Sequence, residues 1–219
     1  MRRILCYGDS NTWGQNPRDF DEQVGMYRRY PEHVRWTSIM QDVLGSEYHV
    51  CEEGLCGRTT VLEDPFRYGW NGLKSLEVAF RTCDPVDCII VMLGTNDLRD
   101  IFKVSATAIT MGMERLIREL KNLLPYSFSA HAEIVIVNPV CPSMADDGTF
   151  WWEFTGESVE KAKQMAEKYE SLAKTLHVHF YDANLVARVD TKDGVHLDVE
   201  SHRKLGCALA ELVKSILEK

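Results

Sequence analysis

Five short apolar runs, each followed by a segment of helical spacing, constrain this 219-residue chain more than any other feature. The runs are Ile4–Tyr7, Tyr48–Cys51, Cys88–Leu93, Ile134–Val137 and Val178–Tyr181. The third, Cys88-Ile89-Ile90-Val91-Met92-Leu93, is apolar without alternation, as in a strand buried on both faces. Between the runs the period changes. Val34–Leu44 reads as a helix ending before Gly45, and Gly72–Phe80 places Leu73, Leu76 and Phe80 on one side. Over Ser105–Leu124 the apolar positions Ile109, Met113, Leu116, Leu120 and Leu123 keep a helical step, and Pro125 stops the run. A further helix is predicted from Ser158, with Val159, Ala162, Ala166, Tyr169 and Leu172 on one side. The last is predicted over Ser201–Leu217, with Leu205, Leu209, Leu212 and Ile216 inward. Strand–helix alternation repeated in this way predicts a parallel sheet with helices on both faces. No repeat, low-complexity tract or linker interrupts it, so residues 1–219 read as a single domain.

Composition narrows the partners. With 45% hydrophobic and 26% charged residues, the chain has the balance of a globular domain. Lys plus Arg number 25 against 33 Asp plus Glu, a net charge of −8. Such a balance supplies no phosphate-binding field, which argues against nucleic acid and anionic membranes as partners. No apolar run approaches the ~20 residues of a membrane span. Met1-Arg2-Arg3 is followed by too short an apolar stretch for a secretory signal, so it leads into the first strand. The seven cysteines are odd in number, and Cys6, Cys88 and Cys207 sit in apolar runs. They read as buried thiols in a reducing compartment, and a cytoplasmic location is expected. The Cys51/Cys56 and Cys83/Cys88 spacings do not fit a zinc knuckle. His177 and His179, expected on one face of the fifth strand, lack a third ligand at a fitting spacing. Neither metal nor cofactor is expected.

In an open parallel sheet the crevice lies beyond the C-terminal ends of the strands, where the winding direction changes. Four of those ends combine glycine with polar side chains: Gly8-Asp9-Ser10-Asn11, Glu53-Gly54-Leu55-Cys56-Gly57-Arg58-Thr59, Gly94-Thr95-Asn96-Asp97 and Asp193-Gly194-Val195-His196. A serine hydroxyl needs a base to become a useful nucleophile. His196 is the candidate base for Ser10. Asp193, three residues before it, reaches the imidazole if both lie on one helical turn. Acyl transfer also needs preorganised donors for the developing oxyanion. The backbone N–H groups of Ser10 and Gly57 and the side-chain amide of Asn96 supply three. Taken singly, Gly57 also fits an ordinary turn and Asn96 an Asx-turn.

Taken in order, these blocks resemble the signature blocks of the SGNH hydrolases, the GDSL-type esterases and lipases, over nearly the whole chain. The resemblance implies a flavodoxin-like three-layer α/β/α sandwich with a five-stranded parallel sheet. It implies Ser10 as nucleophile, His196 as base with Asp193 its partner, and Ser10, Gly57 and Asn96 as the oxyanion hole. The longer matches Gly8-Asp9-Ser10-Asn11-Thr12-Trp13-Gly14, Glu53–Thr60 and Met92–Leu98 look like the arylesterase and acyltransferase branch. That branch implies small acyl esters as substrates, with acyl transfer to alcohols, and a homo-oligomer. Asn11 departs from the family's usual Leu beside the nucleophile. Asn11, Trp13 and Trp152 are expected on the substrate side. The aromatics Phe150, Trp151, Trp152 and Phe154, with Trp13, Phe66 and Trp70, suit an acyl pocket, an oligomer contact or plain core. Loops at Asn16–Tyr30 and Cys141–Thr155 are expected to narrow the mouth. His202 and Arg203 are expected to be solvated, and the charged stretch over 157–170 to be a helix surface. A carbohydrate O-deacetylase and a non-catalytic flavodoxin-like binding module are the competing readings. The second lacks a glycine-rich phosphate loop.

Overall fold

The computed structural model describes residues 1–218. In chain order the elements are β1 (Arg2–Gly8), α1 (Ser10–Trp13), β2 (Gln15–Asp21), β3 (Met26–Arg29), α2 (Trp36–Leu44) and β4 (Tyr48–Gly54). They continue with α3 (Gly72–Cys83), β5 (Cys88–Met92), α4 (Ala106–Leu123), β6 (Glu133–Asn138), α5 (Gly156–Leu176), β7 (His179–Asp182) and α6 (Val199–Leu217). Five strands form one parallel sheet in the order β4-β1-β5-β6-β7. This is the flavodoxin-like order, and its switch point falls between β1 and β5.

Because side chains alternate across a strand, the sheet divides the core in two. Leu5, Tyr7, Ile89, Val91, Ile134 and Ile136 pack with α3, α4 and α5 on one face. Ile4, Cys6, Ile90, Met92, Val135 and Val137 pack with α2 and α6 on the other. The expected three-layer α/β/α sandwich is therefore what forms. No helix among the described residues is long and apolar enough to cross a membrane.

Several boundaries and environments differ from the sequence reading. The segment expected as a loop over Asn16–Tyr30 is the antiparallel β2–β3 hairpin. It was hidden because its strands are largely solvated and their register shifts between Gln15 and Phe20. Helix α5 starts at Gly156, with the Ser158 hydroxyl accepting the Thr155 N–H at 3.1 Å, and Met165 rather than Ala166 is in the core. Helix α6 starts at Val199 on an Asp198 cap, and Val213 is buried where Leu212 is only partly so. His177 is not on the fifth strand. It ends α5 at φ 51, while His179 in β7 lies 3.0 Å from Glu133.

His202 is the clearest reversal, being buried rather than solvated. Its Nδ1 accepts the backbone N–H of Trp36 at 3.2 Å, and the Tyr30 ring stands edge-on at 5.3 Å. Burial pulls its pKa down to about 3, against the attraction of Asp198 and with the help of His196 and Arg35. Below about pH 6.5 the unfolded chain takes up a proton that the native imidazole refuses. Stability carried by neutral His202 is thus complete above that pH and falls as the pH drops toward 3. Asp9 and Asp97, both raised to about 6, titrate in the opposite sense, so wild type must be compared with a variant at this position. His202→Asn keeps an acceptor for Trp36. Its stability deficit in urea melts is expected to shrink by about 2 kcal/mol between pH 7 and pH 5. A deficit constant across that range would contradict the assignment.

Candidate active site

The ends of β1 and β5 diverge at the switch point, and the polar strand ends meet there. Asp9 caps α1, its carboxylate accepting the Asn11 N–H, and the chain turns sharply enough to present Ser10 at the crevice. Burial raises the Asp9 carboxyl to about 6, although the Asn11 N–H and the neighbouring His196 and Arg58 charges favour ionisation. Arg58, stacked 4.0 Å from the Tyr7 ring centroid, donates to the carbonyls of Gly8 and Glu53 and joins the ends of β1 and β4.

Ser10 Oγ lies 2.9 Å from His196 Nε2, across 186 positions of sequence. His196 Nδ1 lies 2.6 Å from Asp193 Oδ2. A carboxylate only accepts, so Nδ1 carries the proton and Nε2 is left to accept from the serine hydroxyl. Asp193 does not reach His196 along a helical turn, as the spacing suggested. It does so from a tight turn in which Gly194 takes φ 69 and presses so close to Ser143 that a Cβ would meet its carbonyl oxygen at 2.0 Å. Asp193 Oδ1 accepts the N–H groups of Val195 and His196 at 2.9 and 3.0 Å. Burial pushes the Asp193 pKa up, but His196 and these two N–H groups outweigh it and hold the carboxyl below its ordinary value. The relay is buried and oriented for taking the Ser10 proton.

The three expected oxyanion donors border the same cavity as Ser10 and His196. Among the described residues, neither the Ser10 nor the Gly57 N–H is committed to a protein acceptor. Gly57 sits at φ 83, and a Cβ there would collide with the Trp70 ring at 2.3 Å. The Asn96 amide gives one hydrogen to the Arg58 carbonyl at 3.1 Å and keeps the other. Asp97, next along, accepts from the backbone and hydroxyl of Thr60 and ties this strand end to the Gly57 loop. Burial lifts its carboxyl to about 6 despite those bonds.

The cavity holds about 600 Å³ and is walled mainly by Trp13, Met26, Leu55, Trp70, Trp151 and Trp152. Trp151 meets the His196 ring edge-on at 4.9 Å. The hairpin contributes Gln15 and Tyr27 as well as Met26, so it narrows the mouth as a structured wall rather than a loose loop. Arg18 on β2 grips Asp190 with two bonds of 2.8 and 2.7 Å, and the Asp190 N–H donates to the His196 carbonyl. Of the expected substrate-side residues, Trp13 and Trp152 border the cavity and Asn11 does not. The Asn11 side chain donates to the Val195 carbonyl at 3.3 Å and accepts the Leu197 N–H at 2.9 Å. Polarity at this position thus clamps the His196 loop instead of facing the crevice. Phe154 is core and Phe66 is exposed. Trp151, in the aromatic cluster expected to suit an acyl pocket, borders the cavity. Gln15 and the Arg18–Asp190 pair carried no pattern in the sequence, since each acts only through residues distant in the chain.

Residues 6–204 match the GDSL-like lipase/acylhydrolase family. Comparison with curated protein sequences gives no match. Among solved structures, an aryl esterase from M. smegmatis superposes with a TM-score of 0.90 at 33% identity, covering 99% of this chain and 100% of that one. A carbohydrate acetylesterase from Sinorhizobium meliloti gives 0.88 at 34% identity, with the same coverage. A carbohydrate acetylesterase family member from the same organism gives 0.86 at 35%, covering 100% of both chains. The chain therefore belongs to the GDSL-like lipase/acylhydrolase family, the SGNH hydrolases, and is an esterase/acylhydrolase of that family.

Proposed function

We propose that this chain is a serine esterase that cleaves short-chain acyl esters of aryl or apolar alcohols through an acyl-enzyme on Ser10. The observation that carries the reading is the 2.9 and 2.6 Å relay from Ser10 through His196 to Asp193, opening onto an apolar cavity. Ser10 Oγ attacks the ester carbonyl as His196 Nε2 takes its proton, and Asp193 stabilises the resulting imidazolium. The tetrahedral oxyanion is held by the N–H groups of Ser10 and Gly57 and by the Asn96 amide. His196 then returns the proton to the leaving alkoxide as the C–O bond breaks. Water, or a second alcohol, repeats the sequence in reverse to release the acyl group.

The aryl esterase and the carbohydrate acetylesterases are alike in identity to this chain, so the likeness does not choose between them. The wall supports the aryl-ester reading, since tryptophans, Met26 and Leu55 suit an apolar alcohol better than a hydrated sugar. An apolar channel also favours a small apolar alcohol over water as acyl acceptor. Exposed Phe20, Met26, Phe66, Tyr68 and Trp152, on the hairpin and loops beside the mouth, support a homo-oligomer that narrows the entrance further. A panel of 4-nitrophenyl esters is expected to show kcat/KM highest from acetyl to butyryl and about tenfold lower at octanoyl. Acetylated xylan should react more slowly than 4-nitrophenyl acetate. Vinyl acetate with benzyl alcohol in water should yield benzyl acetate, and light scattering should give a multiple of 25.1 kDa. Faster deacetylation of the sugar would replace the aryl-ester reading with the carbohydrate one.

A further inference from the structure

The reaction sequence above leaves one fully buried cation unused. Arg99 lies between two short 3₁₀ segments, Asn96–Leu98 and Asp100–Phe102, with no exposed surface. Its Nη2 meets Asp64 Oδ2 at 2.8 Å, its Nη1 meets Glu153 Oε2 at 2.9 Å, and its Nε donates to the Asn96 carbonyl at 3.1 Å. Arg67 reaches the same two carboxylates, at 2.9 and 3.4 Å. Two cations and two anions make a neutral cluster, the condition under which a guanidinium persists in a protein interior. Both guanidinium groups also face the cavity tryptophans. Arg67 is 4.0 Å from the Trp152 ring centroid and 5.2 Å from that of Trp70, and Arg99 is 5.1 and 5.4 Å away.

The cluster joins three separate loops. One carries Asp64, Arg67 and Trp70, the second Asn96, and the third Trp152 and Glu153. Trp152 itself sits at φ 50, a conformation that a bulky residue keeps only when its surroundings hold it there. We propose that Arg99 is a positioning residue for the ester reaction, fixing the Asn96 peptide, and through it the Asn96 amide, against the oxyanion. This rests on the reading of Asn96 as an oxyanion donor. An amide that gains its strength only in the transition state must already point at the oxyanion, and small misplacements cost rate rather than binding. The planar fork meets Asp64, Glu153 and the Asn96 carbonyl from three separate nitrogens, whereas an ammonium would have to reach all three from one. Lysine at this position keeps the charge but loses that geometry.

The test is a double-mutant cycle read as kcat and KM on 4-nitrophenyl acetate, with cooperative thermal melts as the control for folding. Arg99→Lys is expected to lower kcat about 10- to 100-fold with KM within about threefold. Asn96→Ala alone should lower kcat by about two to three orders of magnitude. In the Asn96→Ala background, Arg99→Lys should cost less than about threefold, because the group it positions is already gone. Equal losses in both backgrounds, or a wild-type kcat for Arg99→Lys, overturn the proposal. If Arg99→Lys does not melt cooperatively, Asp64→Asn, which removes the buried counter-charge and leaves Arg99 in place, enters the same cycle under the same criteria. Failure of the wider reading looks different. Asn96→Ala with wild-type kcat removes the oxyanion assignment, and an active Ser10→Ala removes the serine mechanism.

Discussion

Ser10→Ala is expected to lower kcat on 4-nitrophenyl acetate by at least about 10⁴-fold, with what remains owed to the oxyanion donors and substrate binding. The loss is large because, in the proposed mechanism, the hydroxyl is the atom that forms the new bond, and among the described residues no second serine hydroxyl lines the cavity. The fold should survive. Ser10 Oγ makes its bond to His196 at the cavity edge, so its removal should cost no more than about 1 kcal/mol in a urea melt. A serine-directed phosphonate should add its mass to the peptide carrying Ser10 in wild type and to no peptide in the variant. Undiminished turnover by Ser10→Ala, with the melt unchanged, would refute the acyl-enzyme on this residue.

The second large effect concerns the relay behind the serine. His196→Ala should lose about as much as Ser10→Ala, and the double variant scarcely more, since members of such a relay act as one unit. Asp193→Asn is the sharper test. Its Oδ1 can still accept the N–H groups of Val195 and His196, so the turn should keep its shape. An amide facing Nδ1 donates instead of accepting, which moves the imidazole proton to Nε2 and leaves nothing to take the serine proton. A drop in kcat on the order of 10⁴-fold with little change in KM is expected. A change confined to KM would reassign Asp193 to substrate binding.

The parts of this molecule legible from sequence are those whose signal is local. Cys88–Leu93 is apolar on both faces because it lies mid-sheet, and each strand end exposes its glycine and polar residues side by side in the chain. What stayed hidden depends on partners far away in sequence. Arg99 looks like a surface residue until Asp64 and Glu153, 35 and 54 positions distant, neutralise it. His202 follows a helix cap and precedes a charged Arg203, yet Trp36 and Tyr30 enclose it from another element. Asn11 looked like a substrate contact because it adjoins Ser10, but its bonds run to Val195 and Leu197. The β2–β3 hairpin lacks alternation because most of its side chains face solvent. Its place is set by single anchors such as Arg18 on Asp190, which no periodicity records.

The 186 positions that separate Ser10 from His196 have a temporal meaning during synthesis. The serine emerges with the first strand, while the imidazole arrives only when β7 and the turn after it have been made. In the proposed mechanism the hydroxyl has no base until then and remains an ordinary alcohol, so a nascent chain on the ribosome should carry no esterase to act on its surroundings. The same distance makes turnover a strict reporter of folding. Closing so long a loop is among the last and slowest pairings a chain makes. Regain of ester cleavage after dilution from denaturant should therefore trail the return of helical signal.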